Sequence, residues 1–257
     1  MISKLRYLYN LYVNKTIFPF FIYLSKRKLK KYQNLVTGKV LDIGCGDRPY
    51  KKLFKNAERY MGTNSEEYYK DNLFFKPGPD DYIVNDGCDL PFSDKSFDVV
   101  LSLQVLPVFE SPDLFFREVH RLLRPEGVFI ITSDFLYPLW NKPYNYFRVT
   151  SFGFELLAKR NDFNVVAIEA FGGYWTMCAR NFHKYIIRQM ANFLNSFALE
   201  KKFVLKLLKA LRLLTWILFV PFIPLVVNII FLLFPIFDIL ARDEDFTTNY
   251  IVVLQKI

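Results

Sequence analysis

The stretch VLDIGCGDRPY, Val40 to Tyr50, constrains the fold of this chain more than any other. Apolar residues interrupted by one acid, then two glycines one residue apart, describe a β-strand that ends in a tight turn. A strand that runs through a glycine turn into a helix brings bare backbone N–H groups up to a ligand. The expected ligand is a nucleotide-like cofactor. The pattern is not the GxGxxG dinucleotide fingerprint, which would place a third glycine at position 49, where Pro49 stands.

Apolar runs bounded by turn residues alternate with helical patterns through most of the chain, as a parallel α/β sheet requires. Strands are expected at Lys39 to Ile43, Arg59 to Gly62, Tyr82 to Asn85, Phe97 to Ser102, Gly127 to Ser133, Phe163 to Ala170 and Asn249 to Gln255. The clearest helix is Pro112 to Leu123, with an apolar stripe of Leu114, Phe115, Val119, Leu122 and Leu123. A second helix, Ser151 to Arg160, opens on Thr150 and Ser151 as cap candidates.

The acid directly before the glycine loop resembles the first motif of the class I S-adenosylmethionine (SAM) dependent methyltransferases, of the type 11 kind. The resemblance implies that Asp42 meets the amino-acid part of the cofactor, and that Gly44, Cys45 and Gly46 let the backbone approach it. DGCDLPFSDKSFDVVLSLQVLP, Asp86 to Pro107, is similar to the segment in which an acid after the third strand reaches the adenine amino group. Asp86 takes that role by resemblance, with Gly87 beside it, and Leu103 and Gln104 lie along the cofactor after the fourth strand. FREVHRLLRPEGVFIITS matches the following helix and fifth strand, so the matched motifs run from Val40 to Ser133. The second strand of the family ends in an acid that binds the ribose hydroxyls; Asn64 stands there. Pro107 and Val108 replace a common Glu-His, and Trp140 and Asn145 replace a histidine and an aspartate.

More thinly, PLWNKPYNYFRVTSFGFELLAKRNDFNVV and DEDFTTNYIVVLQK resemble bacterial methyltransferases of the cell-surface glycan type, which carry an apolar insertion before the last strand. The implied fold is α/β: a Rossmann-like seven-stranded sheet whose last strand is antiparallel and inserted between its neighbours. The expected organisation is a basic aromatic helical region over 1–36, a SAM-binding core over 37–174, a helical membrane-associated insertion over 175–246, and the last strand of the core over 247–257.

Composition supports the insertion. The chain is 52% hydrophobic, and Leu213 to Phe237 holds no charged residue for 25 positions. That is membrane length by the criterion of about 20 residues, yet Pro221, Pro224 and Pro235 break it. If Asn249 to Gln255 belongs to the same sheet, both ends of the run lie on one side of a membrane. A helical hairpin that enters one leaflet and returns satisfies both conditions; an internal packing helix of a soluble protein is the alternative.

Charge follows the same division. Nine basic residues lie between Lys4 and Lys39 with no acid before Asp42, whereas Asp42 to Phe182 has 16 basic and 20 acidic residues. A basic face with a recognisable reading element would argue for nucleic acid, and neither is present, so no nucleic-acid partner is expected. Basic residues beside apolar and aromatic stretches, as in IFPFFIYLSKRKLKKY, instead favour anionic headgroups. The N-terminal apolar patch is short and its basic run follows it, unlike a signal peptide. Cys45, Cys88 and Cys178 have neither metal-ligand nor disulfide spacing and fit a reducing compartment. The expected location is the cytoplasmic face of the inner membrane, with membrane lipids as partners.

An oxygen acceptor needs a base for its proton. The chain has two histidines: His120, within the helix before the fifth strand, reads as structural, and His183, after the sixth strand, as able to reach a pocket. Tyr144 and Arg148 in PYNYFR offer aromatic packing for a sugar or isoprenoid and a cation for a phosphate or carboxylate. With His183 they are the catalytic candidates. The expected reaction is O-methylation of a lipid-linked glycan or another small-molecule acceptor; a quinone or lipid acceptor, and a non-catalytic membrane scaffold, stay open as alternatives.

Overall fold

The computed structural model describes residues 22–71, 77–84, 86–182 and 243–257, with isolated positions between 185 and 240. Two units are described. The larger comprises Ile22–Phe171 and Thr247–Ile257, and the smaller falls within Gly172–Phe246. His183 and most of the apolar run, with the proposed hairpin, lie outside the described residues.

The larger unit opens with a helix over residues 22–29, α1. A seven-stranded sheet follows, ordered β3-β2-β1-β4-β5-β7-β6. Its strands are β1 (Gly38–Ile43), β2 (Ala57–Asn64), β3 (Asp81–Ile83), β4 (Phe97–Leu103), β5 (Leu123–Asp134), β6 (Phe163–Phe171) and β7 (Asn249–Lys256). The first five pair in parallel, and β7 runs antiparallel between β5 and β6, as the resemblance implied. Helices α2 (Glu66–Asp71), α3 (Pro112–Leu122) and α4 (Ser151–Arg160) connect them. The order reverses between β1 and β4, where Asp42 pairs with both Gly62 and Leu101. In open α/β sheets such a switch leaves a crevice at the carboxyl ends of the strands.

Burial explains which strands the sequence announces. Val40 to Ile43, Val99 to Leu103 and Asn249 to Leu254 are buried throughout, so both faces are apolar. The expected strands are all present with adjusted ends. β3 begins one residue earlier than expected and ends at Ile83; Asn85 is outside the described residues. β5 starts four residues before Gly127, because RPEG forms an irregularity within the strand: Phe97 pairs with Leu123, and Val99 next with Val128. Glu126 adopts φ 62° there.

Helix α3 is capped by Ser111, whose hydroxyl accepts from the Leu114 N–H at 3.3 Å, with Pro112 in the first turn. Its stripe is rotated from the expected one. Leu114 is 53% exposed and Leu123 belongs to β5, whereas Phe116 is fully buried beside Phe115. Burying two rings against Phe129 and Phe163 removes more apolar surface than burying one ring and a leucine. Thr150 caps α4, accepting from the Gly153 N–H at 3.0 Å.

His120 proves structural: its ring meets Phe163 edge-on at 5.4 Å in the last turn of α3. Lys256, near the end of β7, donates to the His120 carbonyl at 2.6 Å and the Leu123 carbonyl at 2.9 Å. A buried cation thus satisfies carbonyls at the helix C-terminus.

In the smaller unit Asp238 accepts from the Trp175 and Thr176 N–H groups at 2.8 and 3.0 Å, capping the helical residues 174–182. The Trp175 ring meets Phe234 and Phe237, each at 5.5 Å. The two ends of the segment between these residues are thereby held together. The splice point is equally local, since Phe171 of β6 pairs with Asn249 of β7.

Replacing Lys256 by Met removes two charge-assisted bonds while preserving much of the side-chain volume. Urea unfolding is expected to show a loss of about 2 kcal/mol.

Candidate cofactor site and acceptor loop

The glycine loop leaves β1 at the switch point. Gly44 has φ 69° and Gly46 φ 56°, conformations that L side chains rarely adopt. A Cβ at Gly44 would also lie 2.6 Å from Cγ2 of Val105, in the loop after β4. The Cys45 N–H donates to the Thr63 carbonyl at 3.0 Å, tying the loop to β2.

Asn64, the last residue of β2, completes that attachment. Its Oδ1 accepts from the Gly46 N–H at 2.9 Å, and its Nδ2 donates to the Gly46 carbonyl at 3.1 Å, the Tyr69 hydroxyl at 3.1 Å and Cys45 Sγ at 3.3 Å. The residue standing in place of a ribose-binding acid is therefore a clamp on the loop. Cys45 turns its side chain toward Gly62 and Asp81. Burial, with Asp42 and Asp81 nearby, pushes its thiol far up, so it carries no thiolate chemistry at neutral pH.

Asp42 is 1% exposed and accepts from the Tyr60 hydroxyl through Oδ2. Its Oδ1 has no partner. Burial pushes its pKa up to about 7, against the opposing hydrogen bond from Tyr60, and the nearby Asp81 raises it further while Arg48 lowers it.

At the exit of β4, Leu103 is buried and Gln104 adopts φ 71°, with its N–H donating to the Thr132 carbonyl at 2.8 Å. Both polar atoms of the Gln104 amide are buried without a partner. Asp86 is exposed and accepts from the Cys88 N–H at 2.8 Å, while a Cβ on Gly87 would lie 2.7 Å from Cζ of Phe109. The 86–88 turn thus abuts the loop that follows β4. Bent glycine backbone, an orphaned acid oxygen and an orphaned amide together fit a polar cofactor at the switch point.

The loop after β5 reaches the same end of the sheet. Trp140 Nε1 donates to Asp134, at the end of β5, at 2.8 Å. The Tyr146 N–H donates to the Pro107 carbonyl at 2.8 Å, fastening the loop to the exit of β4. Tyr144, Tyr146, Phe147 and Leu139 are exposed. Arg148 Nη1 donates to the Phe147 carbonyl at 3.1 Å, whereas Nη2 and both polar atoms of the Asn145 amide are buried and unpartnered.

Sequence reasoning missed three contacts here: the Tyr60 bond to Asp42, the buried Arg48–Asp81 ion pair and the tie from Tyr146 to Pro107. The apolar setting of Tyr60 and the acid at Asp81 were visible as residues, but no spacing rule joins partners so far apart in sequence.

An acid–glycine loop at the switch point of a seven-stranded sheet with an inserted antiparallel strand defines the class I methyltransferase fold. Residues 41–131 match the family model described as a methyltransferase domain. The chain is 32% identical over 104 residues to a fatty-acid O-methyltransferase of Mycolicibacterium smegmatis, covering 38% of each. It is 45% identical over 49 residues to a phthiotriol/phenolphthiotriol dimycocerosates methyltransferase of Mycobacterium ulcerans, covering 19% of each. The matches therefore span well under half the length of these relatives. Among solved structures, an S-adenosylmethionine dependent methyltransferase from Mesorhizobium loti superposes with a TM-score of 0.50 at 15% identity, over 89% of this chain and 96% of that one. The segment Leu41 to Ile131 therefore matches a methyltransferase domain, and the sheet that carries it has the class I methyltransferase fold.

Two outcomes are expected from these contacts. Asn64→Asp places a carboxylate against the Gly46 carbonyl and removes the amide donors. It should lower stability by about 1–3 kcal/mol in urea unfolding, without improving cofactor affinity in calorimetry. For Asp42 the folded pKa lies above the ordinary value of 3.8. Its contribution to stability is fully present below that value and is lost as pH rises through about 7. Asp42→Asn should flatten this part of the decline when urea midpoints are followed across that range.

Proposed function

We propose that this chain transfers the methyl group of SAM to an oxygen of an amphiphilic acceptor at the cytoplasmic membrane face, a lipid-linked glycan intermediate of cell-surface polysaccharide synthesis. The observation that carries the reading is the glycine loop at the β1/β4 switch, flanked by the orphaned atoms of Asp42 and Gln104. When bound, the cofactor supplies a methyl group already activated on a sulfonium. Asp42 offers a carboxylate to its amino-acid part, the Gly44–Gly46 backbone permits close approach, and Leu103 and Gln104 border it. Asp86 and Gly87 are assigned to the adenine end, and the loop bearing Tyr144 and Arg148 to the acceptor. The task left to the protein is to hold the acceptor in line and exclude water.

Membrane association is supported by the basic flanks, the uncharged run and the aromatic residues around Arg148. Among the described residues no helix is long and apolar enough to cross a membrane. A quinone or lipid acceptor is the second reading, favoured by the fatty-acid and dimycocerosate substrates in the relatives' names. The non-catalytic scaffold reading draws on Asn64, whose polar atoms are engaged by the loop and Tyr69.

Calorimetry on the full chain in detergent should show saturable SAM binding that Asp42→Ala and Gln104→Ala weaken. Folded protein that binds no SAM would favour the scaffold. In a sedimentation assay the chain should associate with vesicles containing anionic phospholipid more than with neutral ones, and added salt should reduce the difference. Equal partition into both would remove the electrostatic part of the reading. Labelled methyl groups appearing only in water-soluble acceptors of a membrane extract would overturn the proposed acceptor class.

A further inference from the structure

We infer that the acceptor atom is a carboxylate oxygen, held by Arg148, and that the product is a methyl ester; the inference rests on the methyltransferase reading and narrows its acceptor. The partly buried arginines Arg48 and Arg121 of the larger unit have acids beside them, Asp81 and Glu118. Arg148 has none among the described residues. Its Nη1 reaches only the neighbouring Phe147 carbonyl, and its Nη2 is buried and unpaired. Three residues earlier the Asn145 amide is buried and unpaired at both polar atoms. Orphaned buried donors are costly, and a planar guanidinium with an amide donor on the same loop matches a carboxylate in charge and hydrogen bonding. The bond from Tyr146 to Pro107 fixes this loop at the exit of β4, where the Gln104 amide is also orphaned.

The acid–base inventory points the same way. Of the acids that border this region, Asp42 accepts from Tyr60, Asp86 from the Cys88 N–H, Glu110 from Tyr146 and Asp134 from Trp140. Each of these carboxyls is thus engaged by a donor within the protein, and Asp42, whose pKa burial raises, is assigned to the cofactor rather than to the acceptor. His120 sits in the last turn of α3, next to the start of β5 and thus at the opposite end of the sheet. A hydroxyl acceptor must lose a proton, whereas a carboxylate is already ionised at neutral pH. In the ester-forming step a carboxylate lone pair forms the O–CH3 bond while the C–S bond breaks toward sulfur. The acceptor's negative charge and the sulfonium's positive charge cancel, and no proton is released.

The test compares octyl glucuronide, octyl glucoside and dodecanoate, below their micellar concentrations, on the full chain. The first two differ in the carboxylate, and dodecanoate separates a lipid acid from a sugar acid. Calorimetry without SAM should show binding of at least one carboxylate probe and weaker binding of the glucoside. Arg148→Ala should weaken the carboxylate about 10- to 100-fold, Arg148→Lys should recover part of that loss, and SAM affinity should be unchanged in both as a check on folding. With SAM present, a pH indicator should record no proton release as the ester forms. The inference is overturned if neither carboxylate binds, if both Arg148 variants bind carboxylate normally, or if the glucoside is methylated with one proton released per turnover. Loss of that glucoside activity in His183→Ala would then identify a base in its place. SAM binding measured alone separates these failures from failure of the methyltransferase reading.

Discussion

The Asn64 amide holds the glycine loop against β2, and the other parts of the site are placed through that loop. Gly46 is gripped at both its N–H and its carbonyl. The loop therefore cannot swing away from the sheet without breaking two partly buried hydrogen bonds to the buried Asn64 side chain. Gly44, held in the same turn, packs so closely on Val105 that even a methyl group would collide. Val105 follows Gln104, whose N–H is bound by Thr132 of β5. One polar side chain on β2 thus sets the spacing between the ends of β1, β4 and β5. An aspartate there would give a second acceptor to a ribose but leave the Gly46 carbonyl without its amide donor.

The antiparallel β7 solves a different problem. A segment of membrane-compatible composition has to be carried by a sheet whose central strands are buried on both faces. Pairing Phe171 directly with Asn249 lets the chain leave and return at one point on the sheet. The far end of β7 is secured independently, by Lys256 on the C-terminal carbonyls of α3. Thr247 and Thr248 close the near end through hydrogen bonds to the Phe171 carbonyl, each at 3.1 Å. Because both ends of β7 have their own attachments, what is inserted before it need not contribute to sheet pairing.

How far the sequence could be read depended on how much of each signal was local. β1, β4 and β7 were legible because strands buried on both faces are continuous apolar runs. β3, three residues long with exposed Tyr82 and Ile83, carries little pattern beyond an acid and a turn, and its limits were misplaced. In α3 the periodicity was correct but its phase was not. Leu114, Phe115 and Phe116 are consecutive, and only the positions of Phe129 and Phe163 on other elements decide which two face inward. The glycine loop could be read from its own residues. The use made of Asn64 could not, because its partners follow from the parallel register of β1 and β2, which no single segment records. The same holds for Arg148, where the sequence offered a cation but gave no sign that it would have no acid beside it among the described residues.

That shortage of partners has a pattern. Thr63, Ser102 and Thr132 lie at or next to the carboxyl ends of β2, β4 and β5, and each has a buried hydroxyl without a partner. Asp42 Oδ1 and the Gln104 amide lie at the same end of the sheet, and the Asn145 amide and Arg148 Nη2 belong to the loop fastened there. By contrast, at the opposite end of β4 and β5 the carbonyls of His120 and Leu123 are met by Lys256, and Asp98 accepts from the Lys39 N–H and pairs with Arg124. Unpaired buried groups oppose folding wherever they occur. Unmet groups occur at the opposite end too, at His120 Nε2 and Asn161 Oδ1, but those at the carboxyl end gather around the glycine loop and the exit of β4, where a polar ligand could complete them. The unmet groups include an acid beside the glycine loop and a guanidinium with an amide on the loop beyond β5. The first suits the cationic part of a cofactor and the second an anionic acceptor, so the two ligands would meet with complementary charge across the exit of β4.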